Sequence, residues 1–180
     1  YFVYNHATAA LAITKAYDLT RSPIFRGPSN RALEFIGRAR NPRFGWRYGV
    51  QPGDNDTSIT GWMAMALKSA RLVNDYAEER GHEPPFHLDL EANDGVRVWI
   101  DKMTDRDYGR TGYIQRGGGP ARQRELIDKY PADRSECLTG AAVTVRAFSG
   151  FDVARHAVSL KAAKLMAKLN IRITCRNCIV

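Results

Sequence analysis

Three segments of the chain share an apolar pattern with helical spacing and a high content of Ala and Gly. They span residues 6–17, 57–73 and 135–148 of the 180-residue chain. Side chains this small let helices pack with their backbones close together, which suits the crowded inner layer of a helical assembly. The pattern therefore predicts that these three segments are the inner helices of the fold.

Each inner segment is followed by a second amphipathic segment, at residues 30–40, 95–103 and 154–169. No stretch of any length alternates apolar and polar residues as a half-buried strand does. We therefore expect an all-α fold of about three helical hairpins over residues 1–170, with a tail of unknown role at 171–180.

Three threonines occupy the same place in the inner segments and make the repeat visible. Aligning Thr8, Thr60 and Thr139 brings a small residue into register directly after each of them. The spacing between the threonines is unequal, so the repeat is degenerate and its loops differ in length.

Proline and glycine residues mark the predicted linkers between helices. Pro23 and Pro28 predict that the linker after the first inner helix extends to about residue 30. Residues 79–94 and 117–134 are predicted to be inserted loops.

Two short motifs resemble a known family. Asn41-Pro-Arg-Phe-Gly-Trp-Arg-Tyr48 resembles the Q…G-x-W repeat signature of squalene cyclases and the QNPDGGW of protein prenyltransferases, with Arg40 at the usual Gln. Gly53-Asp-Asn-Asp-Thr-Ser58 resembles the opening of an inner helix in these proteins. The chain thus resembles the squalene cyclase and prenyltransferase α/α-toroid family, particularly its uncharacterised bacterial members. The resemblance implies an α/α toroid, present here as a partial ring that is either a fragment of a closed ring or an open arc that another chain completes.

Two Gly-aromatic pairs stand at the predicted turns between hairpins. Gly45 is expected to adopt a positive φ, and Trp46 to lie against the next helix and hold neighbouring hairpins together. Gly112 and Tyr113 are expected to repeat this arrangement after the second hairpin.

The resemblance also implies acid catalysis at Asp54 and Asp56, because the cyclases protonate an alkene from clustered carboxylates at this helix start. The family's proton-donating position is Asn55 here, and an amide cannot donate that proton. Asp56 is equally suited to cap the following helix. The sequence favours the cap, with acid catalysis as the alternative.

Four residues are candidates for ligand binding. Trp62 and Trp99 are expected to line a concave face or to belong to the core. Arg116 and Arg122 flank the glycines of residues 117–119, whose backbone amides could cradle a diphosphate. A flexible loop is the alternative for that segment.

No residue is assigned as a metal ligand, and no cofactor is evident. Asp101, Asp105 and Asp107 are interleaved with basic residues, and no Asp-x-Cys pair is present for a prenyltransferase-type zinc site. Mg²⁺ and Zn²⁺ therefore have no support. Cys175 and Cys178 form a lone C-x-x-C, which is a weak signal.

The net charge of +8 comes from basic residues spread along the chain, which favours solvated helix faces. An anionic membrane surface or a phosphorylated ligand is the alternative, and no nucleic-acid-binding pattern accompanies the charge. Three cysteines and the absence of long apolar runs predict a soluble protein and favour the cytoplasm. Because the helical pattern begins at once, the chain is expected to continue before Tyr1.

Three functions fit these features. The leading hypothesis is a non-catalytic toroid domain that binds an apolar or isoprenoid-like ligand, or a peptide, on its concave face. The alternatives are a fragment of a polyprenyl cyclase or prenyltransferase, and a structural repeat scaffold for protein contacts.

Overall fold

The computed structural model describes residues 2–169. Within them six α-helices form three successive hairpins: α1 (Phe2–Thr20) with α2 (Pro23–Ala39), α3 (Thr57–Glu78) with α4 (Leu90–Met103), and α5 (Cys137–Phe148) with α6 (Ala157–Ala167). Two 3₁₀ turns, Arg124–Leu126 and Ala132–Arg134, lie in the loop before α5. The predicted all-α class is confirmed.

The contacts between helices define two layers. α3 lies at the centre of the inner layer and packs against α1 on one side and α5 on the other. The outer helices α2, α4 and α6 each pack on the inner helix that precedes them, and α2 and α4 also contact the next inner helix. This is the contact pattern of three hairpins set side by side. The partial α/α-toroid ring remains a prediction from the resemblance.

The inner helices meet through very small side chains, as their composition predicts. Ala7 and Ala10 of α1 and Ala66 and Ala70 of α3 are almost completely buried. Since each of these side chains is a single methyl group, little volume separates the helix backbones. Larger side chains from the outer helices, such as Ile36, complete the same core.

The predicted linker after α1 is wrong, because α2 begins at Pro23 and continues through Pro28. Pro23 stands in the first turn of α2, where a backbone N–H would have no helical partner in any case. Pro28 removes one hydrogen bond inside the helix. Burial of Leu33 and Ile36 on the core offsets that loss.

The predicted 79–94 loop begins directly after α3, which ends at Glu78, but it is too long because α4 starts at Leu90, capped by Asp89. Asn74 of α3 holds the connection, since its side chain donates to the Phe86 carbonyl and accepts from the Phe86 amide. The irregular connection therefore covers residues 79–89. Among the described residues, no helix has the length and apolar character needed to cross a membrane.

Candidate functional site

The loop between α2 and α3 is fixed to both helices by Trp46. Its indole Nε1 donates to the carbonyl of Ile36 at 2.8 Å, and its backbone N–H donates to Oγ1 of Thr60 at 3.2 Å. The side chain is completely buried. Trp46 therefore joins the first hairpin to the first turn of α3, the position that the sequence indicated.

Gly45 is required for space and not for its backbone angle. The predicted positive φ is wrong at Gly45; in this loop Arg43, Gln51 and Gly53 adopt positive φ values of 65°, 46° and 85°. A Cβ atom at Gly45 would lie 2.2 Å from Oγ1 of Thr60 and 2.9 Å from its Cγ2. Only glycine lets the loop come this close to α3.

Replacing Gly45 with Ala is expected to destabilise the fold by about 1–3 kcal/mol, because the new methyl group forces Thr60 out of its hydrogen bond with Trp46. The measurement is chemical unfolding followed by circular dichroism. Gly49→Ala is the matched control, because a Cβ there has its nearest neighbour at 3.6 Å, an ordinary contact. Equal losses in the two variants would contradict this role for Gly45.

The second loop repeats the contact with a register shift. The backbone N–H that reaches the next inner helix belongs to Thr111, and it donates to Oγ1 of Thr139 at 3.1 Å. Gly112 and Tyr113 were predicted to copy Gly45 and Trp46, but their carbonyls instead accept hydrogen bonds from Thr57 at the start of α3. The second turn therefore contacts both α3 and α5.

Asp56 is the N-cap of α3 and is completely buried. Its Oδ1 accepts a hydrogen bond from the Ile59 amide at 2.8 Å, and Oδ2 has no hydrogen bond of standard geometry. Burial raises the pKa of Asp56 to about 6, against weaker opposing effects of the Ile59 amide, the Arg47 charge and the Tyr113 hydroxyl. The predicted capping role is confirmed.

The other two residues of the acid-like motif have different surroundings. Asp54 is exposed and forms an ion pair with Arg47. Asn55 is buried, and its Oδ1 accepts a hydrogen bond from the Asn41 amide at 3.0 Å. Asn55, which the resemblance aligns with the proton-donating acid, is thus an amide bound to another amide. Asp54 and Asp56 do not form a clustered pair of buried carboxylates.

A polar cavity of about 210 Å³ opens at the start of α3. The hydroxyl groups of Tyr48 and Tyr113 are hydrogen-bonded to each other at its wall, and Tyr4 of α1 also lines it. The guanidinium of Arg122 lies 5.9 Å from the centre of the Tyr113 ring. Burial and the Asp56 charge raise the pKa of Tyr113, so its hydroxyl stays protonated and can donate a hydrogen bond.

An apolar groove of about 270 Å³ lies between α3 and α5, and we call it the α3–α5 groove. Most of its wall is apolar or small, and its principal residues are Gly61, Trp62, Met65, Leu138, Ala141 and Val145. Ser58 lines both the groove and the polar cavity, so the two adjoin at the first turn of α3. The Trp62 ring also packs edge-to-face on Tyr4 at 6.0 Å, which links the two walls.

The four predicted ligand-binding residues are separated by the fold. Trp62 lines the α3–α5 groove and Arg122 lines the polar cavity. Trp99 lies in the core, 5% exposed, with its ring against Phe44. Arg116 is exposed and lines neither space. The sequence prediction thus includes one residue of each cavity, Trp62 and Arg122. It could not distinguish them from Trp99 and Arg116, which line neither space.

The glycines of residues 117–119 do not form the predicted diphosphate cradle. The Gly117 amide donates to the Met103 carbonyl and the Gly118 amide to the Gln115 carbonyl, both at 3.0 Å. The space beside them is about 10 Å³, at most the size of one water. Because these amides already have partners in the turn, they are not free to bind an anion.

The aspartates compared with metal-binding clusters have structural partners. Asp105 accepts hydrogen bonds from the amides of Asp107 and Tyr108, and Asp101 accepts one from Arg146. Within residues 2–169, no three or more His, Cys, Asp or Glu side chains are grouped as metal ligands. Cys175 and Cys178 lie outside the described residues.

Arg40, which replaces the Gln of the family signature, makes a different set of contacts. It donates to Asp89, the N-cap of α4, and to Glu91, both at 3.3 Å.

Neither family models nor curated proteins nor solved structures match this chain. The function is therefore inferred from the geometry of the two cavities. Tyr48 and Ser58 were not predicted as site residues, although both stand in the motifs that carry the resemblance.

Proposed function

We propose that this chain is a helical-repeat binding domain whose ligand is amphipathic, with an apolar chain and an anionic head. The observation that carries the proposal is the junction of two unlike cavities at Ser58. An apolar groove lies on one side of this residue, and a polar cavity with a guanidinium and two tyrosine hydroxyls lies on the other.

The α3–α5 groove suits the apolar part of such a ligand. Its glycine and alanine residues leave room between the helices, and Trp62 and Met65 supply large apolar surfaces. Together with the polar cavity, the space falls within the range of about 300–1,000 Å³ that is usual for small-molecule sites. An isoprenoid or other branched hydrocarbon chain fits this chemistry.

The polar cavity suits an anionic head. Arg122 contributes a positive charge, and Tyr48 and Tyr113 contribute hydroxyl groups that are hydrogen-bonded to each other. Such donors bind phosphate or carboxylate oxygens through charge-assisted hydrogen bonds. An isoprenoid diphosphate has both parts, and it is also the ligand class that the family resemblance implies.

The enzyme alternative receives less support from the geometry. Protonation of an alkene needs an acid much stronger than a carboxyl group whose pKa is raised to about 6. Asp56 is also engaged in capping α3 through the Ile59 amide. Binding without turnover is therefore the function that we propose.

Titration calorimetry with farnesyl diphosphate and with farnesol, with and without Mg²⁺, tests the proposal. We expect saturable binding of both probes and tighter binding of the diphosphate. Ala141→Leu is expected to lower the affinity for both probes by at least about tenfold, because it adds three carbons that fill part of the groove. Arg122→Gln is expected to lower the affinity for the diphosphate by about tenfold and to leave the affinity for farnesol unchanged.

Two substitutions serve as matched controls. Ala147→Leu adds the same atoms to an exposed position on α5, and Arg116→Gln removes the same charge from an arginine outside the cavity. Neither is expected to change either affinity. Absence of binding by both probes would overturn the proposal and favour the protein-contact scaffold. Product formation that Asp54→Asn and Asp56→Asn abolish would favour the enzyme.

A further inference from the structure

Arg146 on α5 is a buried cation with incomplete hydrogen bonding. It is 3% exposed, and its Nη2 donates to Oδ1 of Asp101 at 3.0 Å and to Oγ1 of Thr104 at 2.9 Å. Its Nε and Nη1 are buried without a hydrogen-bond partner in the described part of the chain. An unpaired buried donor costs about 1–3 kcal/mol and more when it is charged, so this arrangement requires an explanation.

The Arg146 side chain lines a polar cavity of about 290 Å³ where the end of α4 and the start of α6 meet α5. Its other lining residues are Asp101, Thr104, Arg106, His156 and Val158. We call this space the α4–α6 cavity. It shares no residue with the α3–α5 groove or with the cavity at Ser58.

Positive charge exceeds negative charge around the α4–α6 cavity. Two arginines, Arg106 and Arg146, line it, and Asp101 is the single acidic residue among its lining residues. The Asp101 side chain is 47% exposed, so water screens its interaction with Arg146. The buried guanidinium therefore lacks a carboxylate that is equally buried.

His156 adds a further hydrogen-bonding group at the rim. Its Nδ1 is hydrogen-bonded to Oγ of Ser159 at 2.8 Å, and its ring packs against Phe151. This fixes the ring and leaves Nε2 as the nitrogen available to a ligand. The Lys161 ammonium donates to the Arg106 carbonyl, which ties the segment carrying Arg106 to α6.

We propose that the α4–α6 cavity binds a phosphate group, either free or as a phosphomonoester. A dianion there adds to the counter-charge that the half-exposed Asp101 gives Arg146, and it accepts hydrogen bonds from Arg106 and His156. Because Nε and Nη1 are covered, the anion first acts through its charge, and direct bonds to them follow a small rotation of the side chain. The site is independent of the proposed amphipathic-ligand site.

The test is a titration of the full chain with inorganic phosphate at constant ionic strength, followed by nuclear magnetic resonance. We expect saturable shifts of the Arg146 Nε–H signal and of the His156 and Arg106 amides, with no such shifts from sodium chloride. Arg106→Gln leaves the Arg146–Asp101 ion pair in place and is expected to weaken phosphate binding by about tenfold. Titration with phosphoserine distinguishes a monoester from free phosphate as the preferred ligand.

Arg155→Gln is the matched control, because it removes the same charge beside His156 from a side chain that is 89% exposed and pairs with Asp152. It is expected to leave the affinity unchanged. Shifts that do not saturate, or equal weakening by Arg155→Gln and Arg106→Gln, would show only general attraction to a basic surface and overturn the proposal.

Discussion

The Trp46→Ala variant is expected to lose about 3–5 kcal/mol of the free energy of unfolding, the largest effect of any single substitution discussed for this protein. Trp46 is completely buried, so its removal leaves a large cavity between α2 and α3. The variant also leaves the Ile36 carbonyl without the indole donor. Urea unfolding followed by far-ultraviolet circular dichroism measures the loss.

Two further variants show how much of this loss comes from the cavity and how much from the missing hydrogen bond. Trp46→Phe keeps most of the buried volume and removes the hydrogen bond to Ile36, so about 1–2 kcal/mol of destabilisation is expected. Trp62→Ala is the matched control, because Trp62 is only half-buried and lines an open groove. If Trp62→Ala cost as much as Trp46→Ala, the central role of Trp46 in holding the hairpins together would be wrong.

The second large effect is on the pH dependence of stability, through Asp56. Its pKa is about 6 in the folded protein against an ordinary value of 3.8, so the folded state holds a proton that the unfolded state releases. The contribution of Asp56 protonation to the free energy of unfolding is therefore fully present below pH 4 and is lost as the pH rises through 6. Because one pKa unit corresponds to about 1.4 kcal/mol, the loss is about 2–3 kcal/mol by pH 7.

Asp56→Asn removes this dependence, because the amide stays neutral and its oxygen can still accept the Ile59 hydrogen bond. The stability of the variant minus that of the natural protein should rise between pH 4 and pH 7, then level off. Unfolding curves at several pH values measure the difference. Asp54→Asn, at an exposed position, is the control and should give a nearly flat difference. A flat difference for Asp56→Asn would contradict the buried-carboxyl interpretation.

The sequence predicted the helices because their periodicity is local. Ala and Gly at helical spacing indicated α1, α3 and α5 without any knowledge of their neighbours. Pro28 was misleading because a proline inside a helix is normally unfavourable, and only packing of the following turns on the core makes it acceptable. The predicted inner segment ended at residue 73, whereas α3 continues to Glu78, and the hydrogen bonds of Asn74 to Phe86 connect this extension to the following loop.

The turns show a different limit of sequence reasoning. The Gly-aromatic pairs Gly45-Trp46 and Gly112-Tyr113 look equivalent in the sequence, yet the residue that corresponds to Trp46 in its contact with the next helix is Thr111. A positive φ was the natural reason for glycine at position 45. The actual reason is the approach of Thr60, which depends on the position of another helix.

The cavities could not be predicted because each combines residues from separate hairpins. Ser58 and Trp62 come from α3, whereas Leu138 and Ala141 come from α5. The sequence can identify a tryptophan or an arginine as suitable for binding. Only the packing of the helices separates Trp62 from Trp99 and Arg122 from Arg116.

The two threonine contacts have a consequence for how such a chain can change over generations. The Trp46 amide and its acceptor Thr60 are 14 residues apart, and the Thr111 amide and its acceptor Thr139 are 28 apart. The same bond therefore closes loops of very different size, and the entropy of closure grows only slowly with loop length. Insertions and deletions within these two loops therefore cost little, provided that the hydrogen bonds at their ends are kept. The loops can change in length and composition while α3 and α5, which form the α3–α5 groove, keep their positions.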